Sequence, residues 1–560
     1  MVSAPTEAEA FPVFDDDQMA RLRSYGTPTR VQLGELLFEA GQPSYDFVVL
    51  VSAAVETVRE ASADHGETVL ARHGRRQFLG ELNLLTGQAA YLSTRVVEAG
   101  EILRISPARF RELMDRDTEL SDFILRALLA RRRRLRTGEA ARSMELIGSA
   151  YSAEAMALRT WLARLQIPHA FIDTDTVDGA ALANALGFNV DDLPAFITPK
   201  KTLRRATAAQ ASRELGLAYS PTSGAEDRLW DLIVVGGGPA GLAAAVYGAS
   251  EGLTTLLLEA VAIGGQAAAS SRIENYLGFT SGISGADLTG RAAVQAQKFG
   301  AQLNSPNMVT AATANADGLS IKLSDGKELA ARAVVIATGA RYRTLPLARW
   351  NEFEGAGIYY ATTELEVRLV APNPVAVVGG ANSAGQAALY LAGAGSPVDL
   401  IVRGADIHKD MSAYLSDRIS ANPLITVHLS TEVTALHGRD HLTEITVTDN
   451  AAQSATTLPC RALFNFIGAV PATDWLNDIY LDRRGFVLTD AALPEDALTI
   501  TWPHLGRRPL PFETSVPGIF AVGDVRVGSV KRVAAAVGEG ASAVRSVHQS
   551  MAASSLRALP

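Results

Sequence analysis

The clearest chemical signature of this 560-residue chain is a glycine turn between a strand and a helix, which recurs in altered form further along the chain. An apolar strand leads into Gly236, Gly238 and Gly241, a helix of small residues follows, and a second apolar strand ends at Glu259. The first glycine permits a tight turn, the second lets a pyrophosphate approach the backbone, and the third brings the helix close to the strand. The Glu259 carboxylate is placed to accept hydrogen bonds from an adenosine ribose. The pattern predicts a dinucleotide site.

The second unit follows further along the chain, with Gly379, Ala381 and Ala384 at the fingerprint positions. At the offset that gave Glu259, the second strand ends in a valine followed by Arg403. A carboxylate there would favour NAD, whereas a guanidinium suits the adenosine 2′-phosphate of NADP. This unit is therefore expected to bind NADPH.

With these motifs in order, residues 228–550 closely resemble the low-molecular-weight thioredoxin reductases, flavoproteins with two dinucleotide-binding domains. The matching motifs are GGGPAG (236–241), Glu259, GGQ (264–266), ENYLGF (274–279), ATG (337–339), GGANSA (379–384) and GIFAVGD (518–524). The FAD contacts that the resemblance implies are Gly236, Gly238, Pro239, Ala240, Gly241, Glu259, Gly264, Gly265, Gln266, Asn275, Thr338, Gly339, Gly523 and Asp524. The implied NADPH contacts are Gly379, Gly380, Asn382, Ser383, Ala384 and Arg403.

An Arg-Gln pair that lies near the flavin in these relatives is replaced by Lys531 and Arg532. Two cations beside the isoalloxazine would stabilise an anionic reduced flavin and raise its potential. The alternative interpretation is that both are solvated charges at the start of a helix.

The predicted fold class is multidomain α/β plus β-roll: the resemblance implies two Rossmann-like domains, and the residues before them are expected to form a β-roll and a thioredoxin-like fold. The predicted domains are a β-roll at 1–140, a thioredoxin- or glutaredoxin-like domain at 141–222, an FAD domain at 223–344 and 464–560, and an NADPH domain at 345–463. The FAD domain is thus expected to be interrupted by the NADPH domain.

One departure from the family governs the chemistry. The relatives carry Cys-Ala-Thr-Cys-Asp against the flavin, where this chain reads Tyr360-Ala-Thr-Thr-Glu364. Thiol–disulfide exchange needs an attacking thiolate and a resolving thiol, and Cys460 is the only cysteine of the chain. It is expected to be a small apolar core residue. No catalytic residue is identified beyond Glu364, a weak candidate for proton transfer.

The region from Phe11 to about residue 136 resembles a cyclic-nucleotide-binding domain. In that family a Gly-Glu pair, here Gly80 and Glu81, opens the phosphate-binding cassette, and the glutamate bonds the ribose 2′-hydroxyl. The arginine that pairs with the phosphate is expected nine residues after the glutamate, where this chain has Ala90. Arg95 is expected to belong to the next strand. The ligand of this pocket is left open: it could be cyclic AMP, cyclic GMP or another molecule, or the pocket could bind nothing.

Residues 143–218 resemble a thioredoxin fold with a proline, Pro194, before an apolar strand and no cysteine at the active-site position near 148–154. The run Arg131–Arg134 precedes this region. No helix-turn-helix follows it, so a solvated or interdomain-pairing helix end is expected rather than a nucleic-acid contact. The segment 220–226 is expected to be a linker.

The net charge of −9 and pI near 5.6 argue against nucleic acid as a partner. No secretory signal, membrane span or metal-ligating cluster is visible, and a cytoplasmic homodimer is expected. The predicted function is hydride transfer from NADPH to FAD and onward to an acceptor such as a ferredoxin or flavodoxin, a quinone, oxygen or an external disulfide. The alternative from another class is a non-catalytic sensor that signals through partner docking.

Overall fold

The computed structural model describes residues 5–555, except for 61–65, 137–141, 218–227, 271–272, 274–275, 316–317, 355, 361, 363, 440 and 500. The predicted boundaries at 140/141 and 222/223 and the predicted linker lie outside the described residues. Among the described residues, no helix combines the length and the apolar character that crossing a membrane requires.

The first module, residues 5–136, is a β-roll. Its elements are α1 (Glu7–Ala10), α2 (Asp16–Leu22), β1 (Thr27–Val31), β2 (Leu36–Phe38), β3 (Phe47–Leu50), β4 (Ala54–Arg59), β5 (Thr68–His73), β6 (Phe78–Leu79), α3 (Asn83–Thr86), β7 (Ser93–Glu98), β8 (Gly100–Ile105), α4 (Pro107–Arg116) and α5 (Thr118–Leu135). Two four-stranded antiparallel sheets, β1-β8-β3-β6 and β2-β7-β4-β5, enclose an aromatic core. The rings of Phe47 and Phe110 stack there with their centroids 4.7 Å apart.

Helix α5 begins after Asp117, whose side chain accepts a hydrogen bond from Leu120 N. Its buried face continues to Arg131 and Arg132, which are 6% and 1% exposed. The predicted solvated helix end is therefore wrong for these two arginines. One contact does cross to the next module, as the alternative expected: Arg132 Nη1 lies 3.5 Å from Gln166 O.

The middle module, residues 142–217, follows as β9 (Glu145–Gly148), α6 (Ala153–Arg164), β10 (Ala170–Asp173), α7 (Val177–Ala185), β11 (Ala195–Ile197), β12 (Thr202–Leu203) and α8 (Ala208–Glu214). Its sheet order is β10-β9-β11-β12, with β9 and β10 parallel and the other pairs antiparallel. The peptide bond before Pro194 is cis. The assignment to the thioredoxin fold stays a prediction.

The first Rossmann module starts with β13 (Leu229–Val235), α9 (Pro239–Ser250), β14 (Thr255–Leu258), α10 (Gly285–Lys298), β15 (Gln302–Asn304), β16 (Val309–Asn315), β17 (Gly318–Leu323), β18 (Glu328–Ile336) and β19 (Ala340–Tyr342). Strands β15, β14, β13 and β18 form its parallel part, and the hairpin β16–β17 joins β18. Helix α9 is rich in alanine and glycine, so it lies close against this sheet.

The second Rossmann module is inserted next, as α11 (Trp350–Phe353), β20 (Ile358–Tyr359), α12 (Glu364–Val370), β21 (Val375–Val378), α13 (Asn382–Gly393), β22 (Val398–Ile401), α14 (Ala413–Ser420), β23 (Ile425–His428), β24 (Thr431–Gly438), β25 (Leu442–Asp449), β26 (Ser454–Pro459) and β27 (Ala462–Asn465). Its parallel sheet has the order β20-β27-β21-β22-β23, beside the antiparallel sheet β24-β25-β26. The predicted boundary at 463/464 falls inside β27, a buried strand of the parallel sheet.

The chain then returns to the first Rossmann module through β28 (Ala469–Pro471), α15 (Thr501–Leu505), β29 (Ile519–Ala521) and α16 (Val533–Ser555). Strand β29 pairs with β18, and β28 pairs antiparallel with β19. The second Rossmann module is thus joined to the first by a two-stranded ribbon. Asn465 reinforces this ribbon by donating a hydrogen bond to Arg343 O at 2.7 Å.

Candidate functional site

The first glycine turn lies between β13 and α9. Gly236 has a φ of +110°, and a β-carbon there would lie 2.3 Å from Ala337 O, while one on Gly241 would lie 1.9 Å from Gly236 O. Around Gly238, by contrast, the nearest atom to a β-carbon is Gly265 Cα at 3.9 Å. The protein's own packing requires the first and third glycines, whereas the second opens onto free space at the start of α9. That space fits a pyrophosphate.

Helix α16 closes in on the same helix start. A β-carbon on Gly540 would lie 2.1 Å from Ala240 O, and one on Gly523 would lie 3.0 Å from Ala240 Cβ. Pro239 occupies the first helical turn, where its missing N–H leaves no hydrogen bond unmade. The predicted residues of both the first and the last FAD motif therefore meet at one edge of the sheet.

Glu259 follows β14 and lies beside the glycine turn. Its Oε2 accepts a hydrogen bond from Gly237 N at 2.6 Å, and its Oε1 accepts one from Val261 N at 2.8 Å. Burial raises the pKa of Glu259, against the lowering effect of these main-chain donors. The carboxylate is held in one orientation with acceptor capacity left over, which suits a ribose hydroxyl donor.

The GGQ motif forms the 3-10 turn Gly265–Ala269 and the Gly264 that precedes it. Gln266 donates to Ala340 O, which ties this turn to the ribbon. Thr338 binds the chain's return segment by donating to Ala472 O at 2.9 Å, and Gly339 adjoins it. Asn275 lies outside the described residues.

Asp524 follows β29. Burial raises the pKa of its carboxyl group, and nearby Lys531 offsets only part of this effect. The preceding Gly523 N donates to Glu539 Oε2 at 2.7 Å. Glu539 also pairs with Arg526 through two contacts of 2.8 Å, so α16 fixes this turn. Sequence reasoning missed Arg526 and Glu539.

Lys531 and Arg532 stand immediately before α16 and are exposed. The Lys531 ammonium lies 5.2 Å from the ring centroid of Phe486, and Arg532 Nη1 donates to Lys531 O. This placement fits the interpretation as charges at a helix start. Their effect on a flavin stays a prediction.

The second glycine turn lies between β21 and α13. Gly379 has a φ of +144°, and a β-carbon there would lie 2.6 Å from Phe466 O. Asn382 Oδ1 accepts hydrogen bonds from the main chain and the hydroxyl of Ser412, at 2.7 and 2.9 Å. These contacts hold the start of α13 in place. Gly380 lies in the same turn.

The remaining predicted NADPH contacts surround this helix start. Ser383 follows Asn382 in the first turn of α13, and Ala384 is buried against the sheet. Arg403 is exposed after β22 and makes no ion pair with any residue that the structure describes. Its guanidinium is therefore available for the 2′-phosphate.

An aromatic cluster surrounds Tyr360, the first residue of the segment that was predicted to replace the relatives' cysteine pair. Tyr360 stacks on Tyr342 with ring centroids 5.0 Å apart and an interplanar angle of 12°. The Tyr360 hydroxyl donates to Glu354 at 2.7 Å and accepts from Trp350 Nε1 at 3.0 Å. Because Tyr342 belongs to the ribbon and Tyr360 to the second module, this stack joins the two.

The one cysteine lies elsewhere, as predicted. Cys460 is 1% exposed, precedes β27, and burial raises its pKa to about 12. A thiol so rarely ionised and so inaccessible is unsuited to exchange. Glu364 is exposed at the start of α12 and pairs with Arg368, one turn later, and its role in proton transfer stays a prediction.

The cassette of the β-roll is bound to α5. Arg132 Nε donates to Glu81 Oε1 at 2.7 Å and Nη2 donates to Oε2 at 2.5 Å, while Arg131 Nη1 donates to Gly80 O at 2.8 Å. Sequence reasoning missed both arginines. The signal was available, since Leu120, Ile124, Leu128 and Arg131 share one helix face at spacings of three and four residues.

The middle module contacts the second Rossmann module through the loop where a thioredoxin would carry its cysteines. Tyr151 stacks on His441 with centroids 4.9 Å apart, and the Arg461 guanidinium lies 4.7 Å from the Tyr151 ring centroid. Tyr151 therefore makes its aromatic contact from the segment that was predicted to lack a cysteine pair. No spacing in the sequence indicates this contact.

Comparison with known proteins identifies two regions. The family model for pyridine nucleotide-disulphide oxidoreductases matches residues 230–540, and that for cyclic nucleotide-binding domains matches residues 28–117. The thioredoxin reductase of Treponema pallidum is 32% identical over 314 residues, 56% of this chain and 94% of that protein. The thioredoxin reductase of Mycoplasmopsis pulmonis is 29% identical, over 56% of this chain and 95% of that protein.

Among solved structures, the thioredoxin reductase of T. acidophilum aligns with a TM-score of 0.51 and 27% identity. The alignment covers 57% of this chain and 98% of that one. The residues of the two glycine turns are therefore on a scaffold shared with these reductases, and the N-terminal modules lie outside the shared part.

We expect Gly238→Val to give folded protein without FAD. The valine side chain would project into open space rather than into the protein, and would fill the volume that the pyrophosphate needs. The ratio of flavin to protein absorbance measures the loss. Gly66→Val, at another site with nothing within 4 Å of a β-carbon, should keep full FAD. Full FAD content in Gly238→Val would refute the assignment of this site.

We expect wild-type protein to prefer NADPH to NADH, and Arg403→Ala to narrow the preference about tenfold, the effect of one charged contact. Steady-state kcat/KM for both nucleotides measures it. Arg418 is an exposed arginine of α14 in the same module, so Arg418→Ala is the matched control. It should leave the ratio of kcat/KM for NADPH to kcat/KM for NADH unchanged. A wild-type preference for NADH would contradict the role of Arg403.

Proposed function

Since the chain belongs to the pyridine nucleotide-disulphide oxidoreductase family, as an NAD(P)H-dependent FAD oxidoreductase of the thioredoxin reductase type, we propose that its electrons go to an acceptor other than a disulfide of its own. This family uses FAD and NADPH, and FAD supplies the hydride-accepting and electron-transferring chemistry when bound. The observation that carries the proposal is Tyr360. Its ring and hydroxyl are engaged by Tyr342, Glu354 and Trp350 where the relatives have a reactive thiol.

The chain's own residues hold and orient the cofactors. The open space at Gly238 and the fixed Glu259 carboxylate would hold the two ends of the adenosine diphosphate part of FAD. Arg403 would select the phosphorylated adenosine of NADPH. The stack of Tyr342 on Tyr360 would place two aromatic rings where the dithiol stands in the relatives.

The acceptor class is proposed to be a small redox protein such as a ferredoxin or flavodoxin, or a quinone. An external disulfide is the second candidate, favoured by the names of the thioredoxin reductases that the chain matches. A non-catalytic sensor is the alternative of another kind. Anaerobic titration with NADPH, followed by addition of each acceptor, separates them: a sensor would reduce its flavin once and show no turnover with any acceptor.

We further propose that the β-roll regulates the first Rossmann module through direct packing. Helices α3 and α4 contact α10, and Val294 of α10 belongs to the hydrophobic core of the β-roll. Lys298 Nζ of α10 lies 3.6 Å from Asp122 Oδ1 of α5. Helix α10 in turn packs against α9 and the turn Gly265–Ala269. One helix therefore connects the cassette with residues assigned to FAD.

A second connection runs through the middle module. Arg132 Nη1 lies 3.5 Å from Gln166 O, and the Gln166 side chain lies against Gly290 of α10, 2.3 Å from where a β-carbon would be. Ser212 Oγ also donates to Ser305 O at 2.7 Å. A ligand that binds two arrangements of the cassette differently would shift α10 by both connections.

We expect Cys460→Ala to leave flavin reduction and acceptor turnover unchanged, and wild-type protein to reduce ordinary thioredoxins poorly. A single buried thiol cannot carry two electrons as a disulfide. Stopped-flow reduction by NADPH and a thioredoxin-coupled assay measure this, with thermal unfolding as the check on folding. Strong thioredoxin reduction that disappears in Cys460→Ala would refute the proposal.

We expect Val294→Ala to keep FAD bound but change kcat about fivefold or more, since coupling between sites is typically worth ~1–3 kcal/mol. The substitution loosens the packing of α10 on the β-roll, at a local cost of about 1–2 kcal/mol. Val309→Ala, equally buried in the first Rossmann module, is the matched control. Equal effects of both substitutions on kcat would show that no coupling passes through α10.

A further inference from the structure

The β-roll contains a cavity of about 230 Å³. Its wall is mainly aromatic and aliphatic, and includes Phe38, Leu70, Leu79, Tyr91, Leu92 and Leu135. Strands of both sheets and the end of α5 contribute to it. A cavity with such a wall favours a ligand of similar apolar character.

The carboxylate that would bind a ribose hydroxyl is already used. Both oxygens of Glu81 accept hydrogen bonds from Arg132, and Oε2 accepts a further one from Asn83 N at 3.3 Å. Arg132 is 1% exposed, so its guanidinium has no water to replace the carboxylate. A ribose hydroxyl would have to separate a buried ion pair in order to bind Glu81.

Two arginines line the cavity, Arg131 and Arg134, and the Arg134 guanidinium lies 5.5 Å from the ring centroid of Phe11. Arg131 donates from each of its three nitrogens to a main-chain carbonyl, those of Ala10, Gly80 and Phe78. Arg95, which might have replaced the absent phosphate-binding arginine, pairs with carboxylates of β4 and the following segment and does not line the cavity. A cyclic phosphate would meet the Ala90 methyl group where the family has a guanidinium.

One polar group of the wall is left without a partner. His73 is 4% exposed, and its Nδ1 makes no hydrogen bond with any described residue. Burial lowers the pKa of His73 to about 3, so the imidazole is neutral near pH 7. A neutral imidazole has one donor and one acceptor nitrogen and pairs well with a hydroxyl or carbonyl group. His73 lines the cavity, so a ligand that reaches its imidazole would give it a hydrogen-bond partner.

We propose that this cavity binds a neutral aromatic molecule carrying one hydroxyl or carbonyl group, which hydrogen-bonds to His73, instead of a cyclic nucleotide. The aromatic part would lie among the apolar side chains, and the polar group would complete the hydrogen bonding of His73. Any effect of this ligand on turnover rests on the proposed regulation. Binding itself is independent of the electron acceptor.

The test is calorimetric titration of the full-length, FAD-loaded protein with 1-naphthol, 1-naphthoate and cyclic AMP. We expect one saturable site for 1-naphthol, with an affinity about tenfold or more above that for either anion. His73→Phe should weaken 1-naphthol binding about tenfold through loss of one hydrogen bond. His504→Phe, an exposed histidine far along the chain and outside the cavity wall, should leave it unchanged.

Tighter binding of cyclic AMP than of 1-naphthol, no saturable 1-naphthol site, or equal binding by His73→Phe would overturn the inference. The comparison of the three ligands on wild-type protein needs no substitution, so it decides even if His73→Phe fails to fold. Acceptor turnover is measured in parallel with and without 1-naphthol. Binding without a change in turnover would contradict the proposed regulation and leave the ligand inference standing.

Discussion

The ion pair between Arg132 and Glu81 is the interaction on which the N-terminal half of the chain depends. Removing one partner of such a buried pair typically costs about 3–5 kcal/mol, because the other charge is left without compensation. The end of α5 therefore cannot leave the cassette unless another donor replaces the guanidinium. Since Arg132 also contacts Gln166 O, just after α6, the same side chain joins the cassette and α5 to the middle module.

The local chemistry of the glycine turns explains why these two turns could be predicted from the sequence. Gly236, Gly241 and Gly379 are required by contacts with backbone atoms a few residues away or on the adjacent strand, so a short motif carries the whole constraint. The alternation of strands and helices likewise indicated the order of the modules. The predicted boundary at 463/464 falls inside β27, because a buried strand gives no sign of which sheet it joins.

The arginine run was harder to interpret because charge and helical periodicity predict opposite environments. Charge alone indicates a solvated helix end, while the apolar stripe of α5 continues through Arg131. The buried carbonyls and Glu81 that accept from these guanidiniums come from segments distant in sequence, so their proximity is a property of the fold. The cluster around Tyr360 could not be predicted for the same reason, since its partners lie on separate elements.

The contact of Tyr151 with His441 and Arg461 bears on how the two Rossmann modules can move. The ribbon of β19 and β28 is a narrow connection that by itself leaves the second module free to swivel. The middle module is fastened to the first Rossmann module at Ser305, and Tyr151 reaches from it to the second. The middle module therefore bridges the two Rossmann modules in addition to the ribbon. A swivel of the second module about the ribbon would have to detach the Tyr151 ring from His441 and Arg461, so a side chain outside both cofactor-binding modules would oppose that motion.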